Sequence, residues 1–133
     1  MKVLIGFDGT ASAVKGLRYA LLNFPNAEYV LLYVERVPYV DGAYGISPLV
    51  YDANVGKEIL RGAVAICAEQ GVTPITKSEM GSPADLIIRI AEDLNTELLV
   101  LGAHNKGPIE RLLLGSVSEA VTRRAHCSVL IVR

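Results

Sequence analysis

Glu97-Leu98-Leu99-Val100-Leu101 runs directly into Gly102-Ala103-His104-Asn105-Lys106-Gly107-Pro108-Ile109-Glu110-Arg111-Leu112-Leu113-Leu114-Gly115-Ser116-Val117-Ser118. The short apolar run reads as a strand buried on both faces, as strands of parallel sheets are. A glycine-bearing loop follows, and a new helical pattern begins at Gly115-Ser116. A strand, a loop and a helix N-terminus in that order place several backbone N–H groups where they can surround an anion.

Working outward, the same alternation repeats along the chain. Lys2–Phe7 is a first apolar strand and Asp8-Gly9-Thr10 a turn, with Thr10 or Ser12 able to cap the helix that follows. Within Ala11–Phe24, Val14, Leu17, Leu21 and Phe24 recur at helical spacing, and Pro25 ends the pattern. Tyr29–Val34 is a second buried strand. Arg36–Tyr51 has no clear period and carries Pro38, Gly42, Gly45 and Pro48 among three tyrosines; a connection that long in a small domain is usually functional or mobile. Asn54–Gln70 is a helix with Val55, Ile59, Ala63 and Cys67 on one face and Gly71 just beyond it. Thr73–Ser78 is a weaker strand. Ser82-Pro83-Ala84-Asp85 opens the next helix, with Ser82 as N-cap and Leu86, Ile87, Ile90 and Leu94 as its apolar face. After the strand Glu97–Leu101 come a helix over Ser116–Ala125 and a last strand, Ser128–Val132. The order βαβαβαβαβ predicts an α/β fold: a parallel sheet with helices on both faces and right-handed crossovers. Ligands of such folds bind at the carboxyl ends of the strands, where Asp8, Val34 and the Gly102 loop all fall.

The 133 residues are the size of one domain, 1–133, and 51% are hydrophobic, enough for a sizeable core. With 13 basic and 14 acidic residues the net charge is −1, so no general attraction to nucleic acid or an anionic membrane is expected. Arg123-Arg124 suits the C-terminal end of a helix and makes no nucleic-acid patch. Cys67 and Cys127 share no metal or redox spacing and read as small core residues. No signal peptide precedes the first strand, and no apolar run reaches the roughly 20 residues that span a bilayer; a cytoplasmic protein is expected.

Of the candidate site residues, Asp8 has two readings. Its carboxylate either accepts from a ribose hydroxyl or base amine, or bonds local amides in the turn. Val34 offers a backbone N–H and C=O at the end of its strand, and is otherwise simply a core valine. Ser116, Val117 and Ser118 can present N–H groups and hydroxyls to an anion at the helix start. Ser116-Val117-Ser118-Glu119 also matches a capping box, and on local grounds the cap is the favoured role for Ser116. Lys106 and Arg111 lie in the same loop, where simple solvation is the favoured reading and contact with phosphate oxygens the alternative; His104 can hydrogen-bond a phosphate but has no paired carboxylate or nucleophile in sequence to make it catalytic. No Walker loop, GxGxxG fingerprint, zinc spacing or GxSxG elbow is present, so P-loop hydrolysis and NAD chemistry are disfavoured; neither a catalytic nor a metal-ligating residue is assigned.

These residues resemble the universal stress protein family over essentially the whole chain. Val3-Leu4-Ile5-Gly6-Phe7-Asp8-Gly9-Thr10 is similar to that family's first strand and turn, Leu31-Leu32-Tyr33-Val34 to its second strand, and Gly81-Ser82-Pro83 to the entry of its third helix. Gly102, Gly115 and Ser116 match the Gly-x2-Gly-x9-Gly-Ser/Thr loop of the ATP-binding branch, while Asn105 replaces the second glycine. Asparagine tolerates the left-handed region best among non-glycine residues, although its side chain adds bulk. The resemblance implies a three-layer, Rossmann-like, five-stranded parallel sheet of order 3-2-1-4-5. It implies ATP, alone or with Mg2+, held by Gly6, Phe7, Asp8, Val34, Leu101, Gly102, His104, Asn105, Lys106, Gly115, Ser116, Val117 and Ser118. It further implies a homodimer through the strand 128–132, and an apolar strand at a sheet edge independently invites pairing with a copy of itself. The favoured function is a nucleotide-dependent regulatory module of the stress response with an unidentified protein partner. The alternatives are a dimeric scaffold with weak or no nucleotide binding, and a slow ATPase using His104 or Lys106.

Overall fold

The computed structural model describes residues 1–36, 53–103 and 115–133. The expected alternation appears in order: β1 (Lys2–Gly6), α1 (Ala11–Asn23), β2 (Glu28–Glu35), α2 (Ala53–Glu69), β3 (Ile75–Met80), α3 (Pro83–Asp93), β4 (Leu98–Gly102), α4 (Ser116–Arg124) and β5 (Ser128–Val132). The strands are all parallel and run β3-β2-β1-β4-β5 across the sheet. The connection from β3 to α3 and β4 carries the chain past β2 and β1, so the strand order reverses between β1 and β4.

Both faces of the sheet are covered, and the alternation of side chains along each strand builds two cores. Val3, Ile5, Tyr29, Leu31 and Val100 pack with Leu17 and Leu21 of α1 and with Leu60, Ala63 and Cys67 of α2. Leu4, Val30, Leu32, Leu99 and Leu101 pack with Ile87, Ile88 and Ile90 of α3 and with Val121 of α4. Leu4, Ile5, Leu31, Leu32, Leu99 and Val100 are fully buried, each side chain contributing about 1.5–3 kcal/mol relative to exposure. That explains the continuous apolar runs of β1, β2 and β4 (a strand with a solvent face would alternate).

Three local readings shift. Val55 is 40% exposed, whereas Leu60, Ala63 and Cys67 are buried. A strict four-residue spacing drifts by about 40° per step on a helix, so the face defined at Cys67 has rotated away by Val55. β3 spans Ile75–Met80 rather than Thr73–Ser78, because Pro74 has no N–H for the ladder and the strand starts after it. Ser82 holds the N-cap position of α3 without a side-chain bond to the helix backbone; its hydroxyl goes to the Asp85 carboxylate. Gly71 is left-handed (φ +70) beyond α2, as expected of a C′ glycine. Cys67 is fully buried and burial pushes its thiol up to about 11; Cys127 packs against the α3/α4 core. The Tyr-bearing segment of the long connection lies outside the described residues.

Candidate functional site

At the carboxyl ends of the strands is a cleft of about 580 Å³, within the range of small-ligand sites. Its lining brings together Gly6, Phe7, Asp8, Val34, Leu101, Gly102, Gly115, Ser116, Val117 and Ser118, all singled out from the sequence. His104, Asn105, Lys106 and Arg111 lie outside the described residues.

One wall is the turn after β1. Gly9 has φ +81, a conformation that side-chain-bearing residues rarely adopt. Asp8 Oδ1 accepts from the Thr10 N–H at 3.0 Å and from the Thr10 hydroxyl at 2.6 Å. Thr10 Oγ1 in turn accepts from the Ala13 N–H at 3.2 Å, which makes Thr10, not Ser12, the N-cap of α1. The turn-stabilising reading of Asp8 is therefore realised in the structure.

The second wall is the end of β2. Phe7 N–H donates to the Leu32 carbonyl at 2.8 Å, so the polar groups of Leu32 face β1. Backbone direction alternates along a strand, so those of Val34 face the same way. The Gly81 N–H bonded to Glu35 C=O confirms that the odd residue faces β3 instead. Beyond Phe7 the first strand has turned away into Asp8–Thr10, and it supplies no ladder partner for Val34. An N–H and a C=O thus open side by side into the cleft.

The third wall is the start of α4. Gly115, not Ser116, is the N-cap (φ −63, ψ 162), and no side chain caps the helix. Glu119 pairs with Arg123 rather than returning to the helix start, while its N–H donates to the Gly115 carbonyl at 2.8 Å. The expected capping box therefore does not form: an exposed Glu119 one turn before an arginine gains an i,i+4 pairing. Among the described residues no side chain satisfies the leading N–H groups of Ser116, Val117 and Ser118, and the positive end of the helix dipole faces the cleft. Ser118 itself is 5% exposed, with its carbonyl accepting from Thr122 Oγ1 at 2.7 Å. Arg124 at the far end of α4 pairs with Asp85 in the first turn of α3 at 2.7 Å and holds that carboxyl below the usual range.

The two described motif glycines do different work. A Cβ on Gly102 would sit 2.2 Å from the Ser12 carbonyl oxygen and 2.8 Å from the Ala13 nitrogen, so this glycine lets β4 touch the first turn of α1. Gly115 has negative φ, and no described atom lies within 4 Å of where its Cβ would be. Neither local backbone nor described packing requires a glycine there.

The family profile described as "Universal stress protein family" matches residues 1–133. The chain belongs to that family. It is 33% identical over 140 residues to the universal stress protein MJ0531 of Methanocaldococcus jannaschii, covering 99% of this chain and 81% of that protein. With a putative universal stress protein of Staphylococcus haemolyticus, SH1215, it shares 38% identity over 93 residues, spanning 63% of this chain and only 56% of the relative. Among solved structures, a universal stress protein in complex with cAMP matches with a TM-score of 0.72 at 25% identity, covering 100% of this chain and 97% of that one.

Thr10, Ala13, Leu32, Arg36, Pro83 and Ile87 also line the cleft and were not singled out as site residues. Leu32 and Arg36 lie two positions either side of Val34, so the period of two along β2 was a usable signal. Pro83 and Ile87 arrive from α3, and nothing local to their sequence indicates which strand end they cover. Arg36 and Asp8 are the charged groups among the described lining residues. Among the described residues no group of three or more His, Cys, Asp or Glu is arranged to hold a metal, and no helix is long and apolar enough to cross a membrane.

Proposed function

We propose that this chain is a stress-response protein that binds an adenine nucleotide, specifically ATP, at the carboxyl ends of its strands and acts as a nucleotide-dependent regulatory module. The observation that carries the reading is the uncapped N-terminus of α4, preceded by a glycine that neither its φ nor described packing demands, facing the same cleft as the Val34 backbone edge. In this reading Ser116, Val117 and Ser118 meet the phosphates, the Val34 N–H and C=O meet the edge of the adenine, and Gly6, Phe7, Asp8, Leu101 and Gly102 complete the site. The cAMP bound by a relative supports an adenine nucleotide. His104, Asn105, Lys106 and Mg2+ belong to the phosphate side of the same proposal. No described group is placed as a general base, so hydrolysis should be slow at most. One domain over 1–133, a cytoplasmic location, dimerisation through β5 and a protein partner complete the reading.

Isothermal titration with ATP, ADP, AMP and adenosine tests it. Binding should tighten with phosphate number, and Ser116→Ala should weaken ATP several-fold while leaving adenosine unchanged. No heat at millimolar ATP with Mg2+ would overturn the nucleotide reading and leave the dimeric scaffold.

A further inference from the structure

Beside Asp8, the described lining of the cleft carries one charged side chain, Arg36, to which the nucleotide reading gives no contact. Arg36 is exposed. Arg18, Arg61, Arg123 and Arg124 each meet a carboxylate, whereas among the described residues none pairs with Arg36. An unpaired surface cation is ordinarily only solvated; the position of this one points further.

Leu32 and Val34 place their side chains in the α3/α4 core, Leu31 and Tyr33 in the other. The period of two carries Arg36 onto the α3/α4 side. Its root is fixed, because the Glu35 carbonyl just before it accepts from the Gly81 N–H at 2.9 Å. A base that reads the Val34 N–H and C=O takes the place that a continued β1 would fill, so it lies edge-on to β2 and roughly in the plane of the sheet. Its two faces then look toward the two helix layers. Thr10 and Ala13 at the start of α1 stand on one side, Pro83 and Ile87 of α3 on the other. Arg36 is rooted about 6.6 Å beyond Val34, above that second face. The start of α4 belongs to the β4 side, two strand spacings or about 10 Å from β2. The base is therefore nearer to Arg36 than phosphates on α4 would be. A guanidinium is planar and weakly hydrated, and it stacks flat on an aromatic ring better than an ammonium does.

The Val34 edge alone does not decide the base. Its N–H and C=O suit any base that sets a ring acceptor beside an amino donor, and adenine and cytosine both do so. A flat cation over the face responds to ring area instead, and a purine offers two fused rings where cytosine offers one.

We propose that Arg36 lays its guanidinium on the α3-side face of the bound base, opposite the start of α1, and so favours a purine over a pyrimidine at the Val34 edge. The inference rests on the nucleotide reading above and adds to it the residue that selects the base.

Isothermal titration of the wild type, Arg36→Ala and Arg36→Lys with adenosine, ATP and CTP tests it. Arg36→Ala should weaken adenosine and ATP by the same factor, about fivefold, and narrow the preference for ATP over CTP. Arg36→Lys keeps the charge and loses the plane, so it should recover little of the adenosine affinity. Both variants should melt with the wild type, since Arg36 is exposed and holds no described partner, which separates lost binding from a folding defect. Weakened ATP with adenosine unchanged, or full recovery of ATP by Arg36→Lys, would assign Arg36 to the phosphates and overturn the stack. Adenosine bound equally by the wild type and Arg36→Ala would overturn it while leaving the nucleotide site intact. A wild type that binds none of the three overturns the nucleotide reading and this inference with it.

Discussion

Replacing Gly102 by alanine should unfold the protein at markedly lower denaturant, while the same change at Gly115 should not. At Gly102 the added Cβ lies 2.2 Å from Ser12 O, 2.4 Å from Ser12 C and 2.8 Å from Ala13 N. These are backbone atoms in the first turn of α1, so no side-chain rotation relieves the overlap, and β4 and α1 must separate. Overpacking of this kind costs typically 1–3 kcal/mol, and a backbone clash belongs at the upper end, about 2–3 kcal/mol. For a domain of this size that corresponds to a fall in Tm of roughly 8 °C. At Gly115 the added methyl meets no described atom within 4 Å, and φ is −63. Losing a preferred N-cap glycine for alanine costs some tenths of a kcal/mol, and the reduced entropy of the unfolded chain offsets it by a similar amount. The net effect should stay within about 0.5 kcal/mol. Urea unfolding followed by circular dichroism reads both variants, and ATP titration of the Gly115 variant reads the site. Under the nucleotide proposal its affinity should fall, because the methyl projects where the phosphates approach. A Gly102→Ala variant within about 0.5 kcal/mol of wild type would refute the packing account of this glycine.

Other predictions follow from the caps and the buried phenol. Thr10→Ala should lose about 1 kcal/mol in urea unfolding, because the hydroxyl relays Asp8 to the Ala13 N–H. Ser116→Ala should change stability by less than about 0.5 kcal/mol, since Ser116 is the first helical residue and not the cap; a loss near a full cap's worth would restore the capping-box reading. Tyr29 donates from within the core toward the Ala20 and Phe24 carbonyls, both at 2.8 Å. Burial, with the neighbouring Cys67 thiol adding to it, pushes the Tyr29 phenol up to about 12, and Cys67 itself lies at about 11. Both folded groups hold their protons more tightly than the unfolded chain does. Stability is therefore intact below the ordinary thiol and phenol values of 9.0 and 10.0 and falls as pH rises through them toward 11 and 12. Each group contributes a slope of at most about 1.4 kcal/mol per pH unit. Tyr29→Phe should flatten the upper part of that fall at a cost of about 1–2 kcal/mol near neutral pH, and urea midpoints across the alkaline range measure both effects.

The architecture was legible in the sequence because burial on both faces leaves a mark that does not depend on neighbours. The runs Val3-Leu4-Ile5 and Leu98-Leu99-Val100-Leu101 are apolar without alternation, and the helical periods between them require parallel strands with helices on either side. The clustering of Asp8, Val34 and Gly102 was readable for the same reason, since each falls at a carboxyl strand end, and Gly115 stands at the start of the helix that follows the last of them. What was not readable turns on partners distant in the chain. Ser116 lies in a sequence that matches a capping box, and only the folded helix start shows Gly115 as the cap and Glu119 turned to Arg123. Gly102 looks like a ligand glycine until Ser12, ninety residues earlier, is found where its Cβ would be. Pro83 and Ile87 carry no local sign of the cleft that α3 brings them to. Periodicity and turn chemistry are properties of neighbouring residues along one chain, so they specify the elements and the strand ends. Which atoms then approach within a few ångströms depends on how those elements pack, and only tertiary contact decides that.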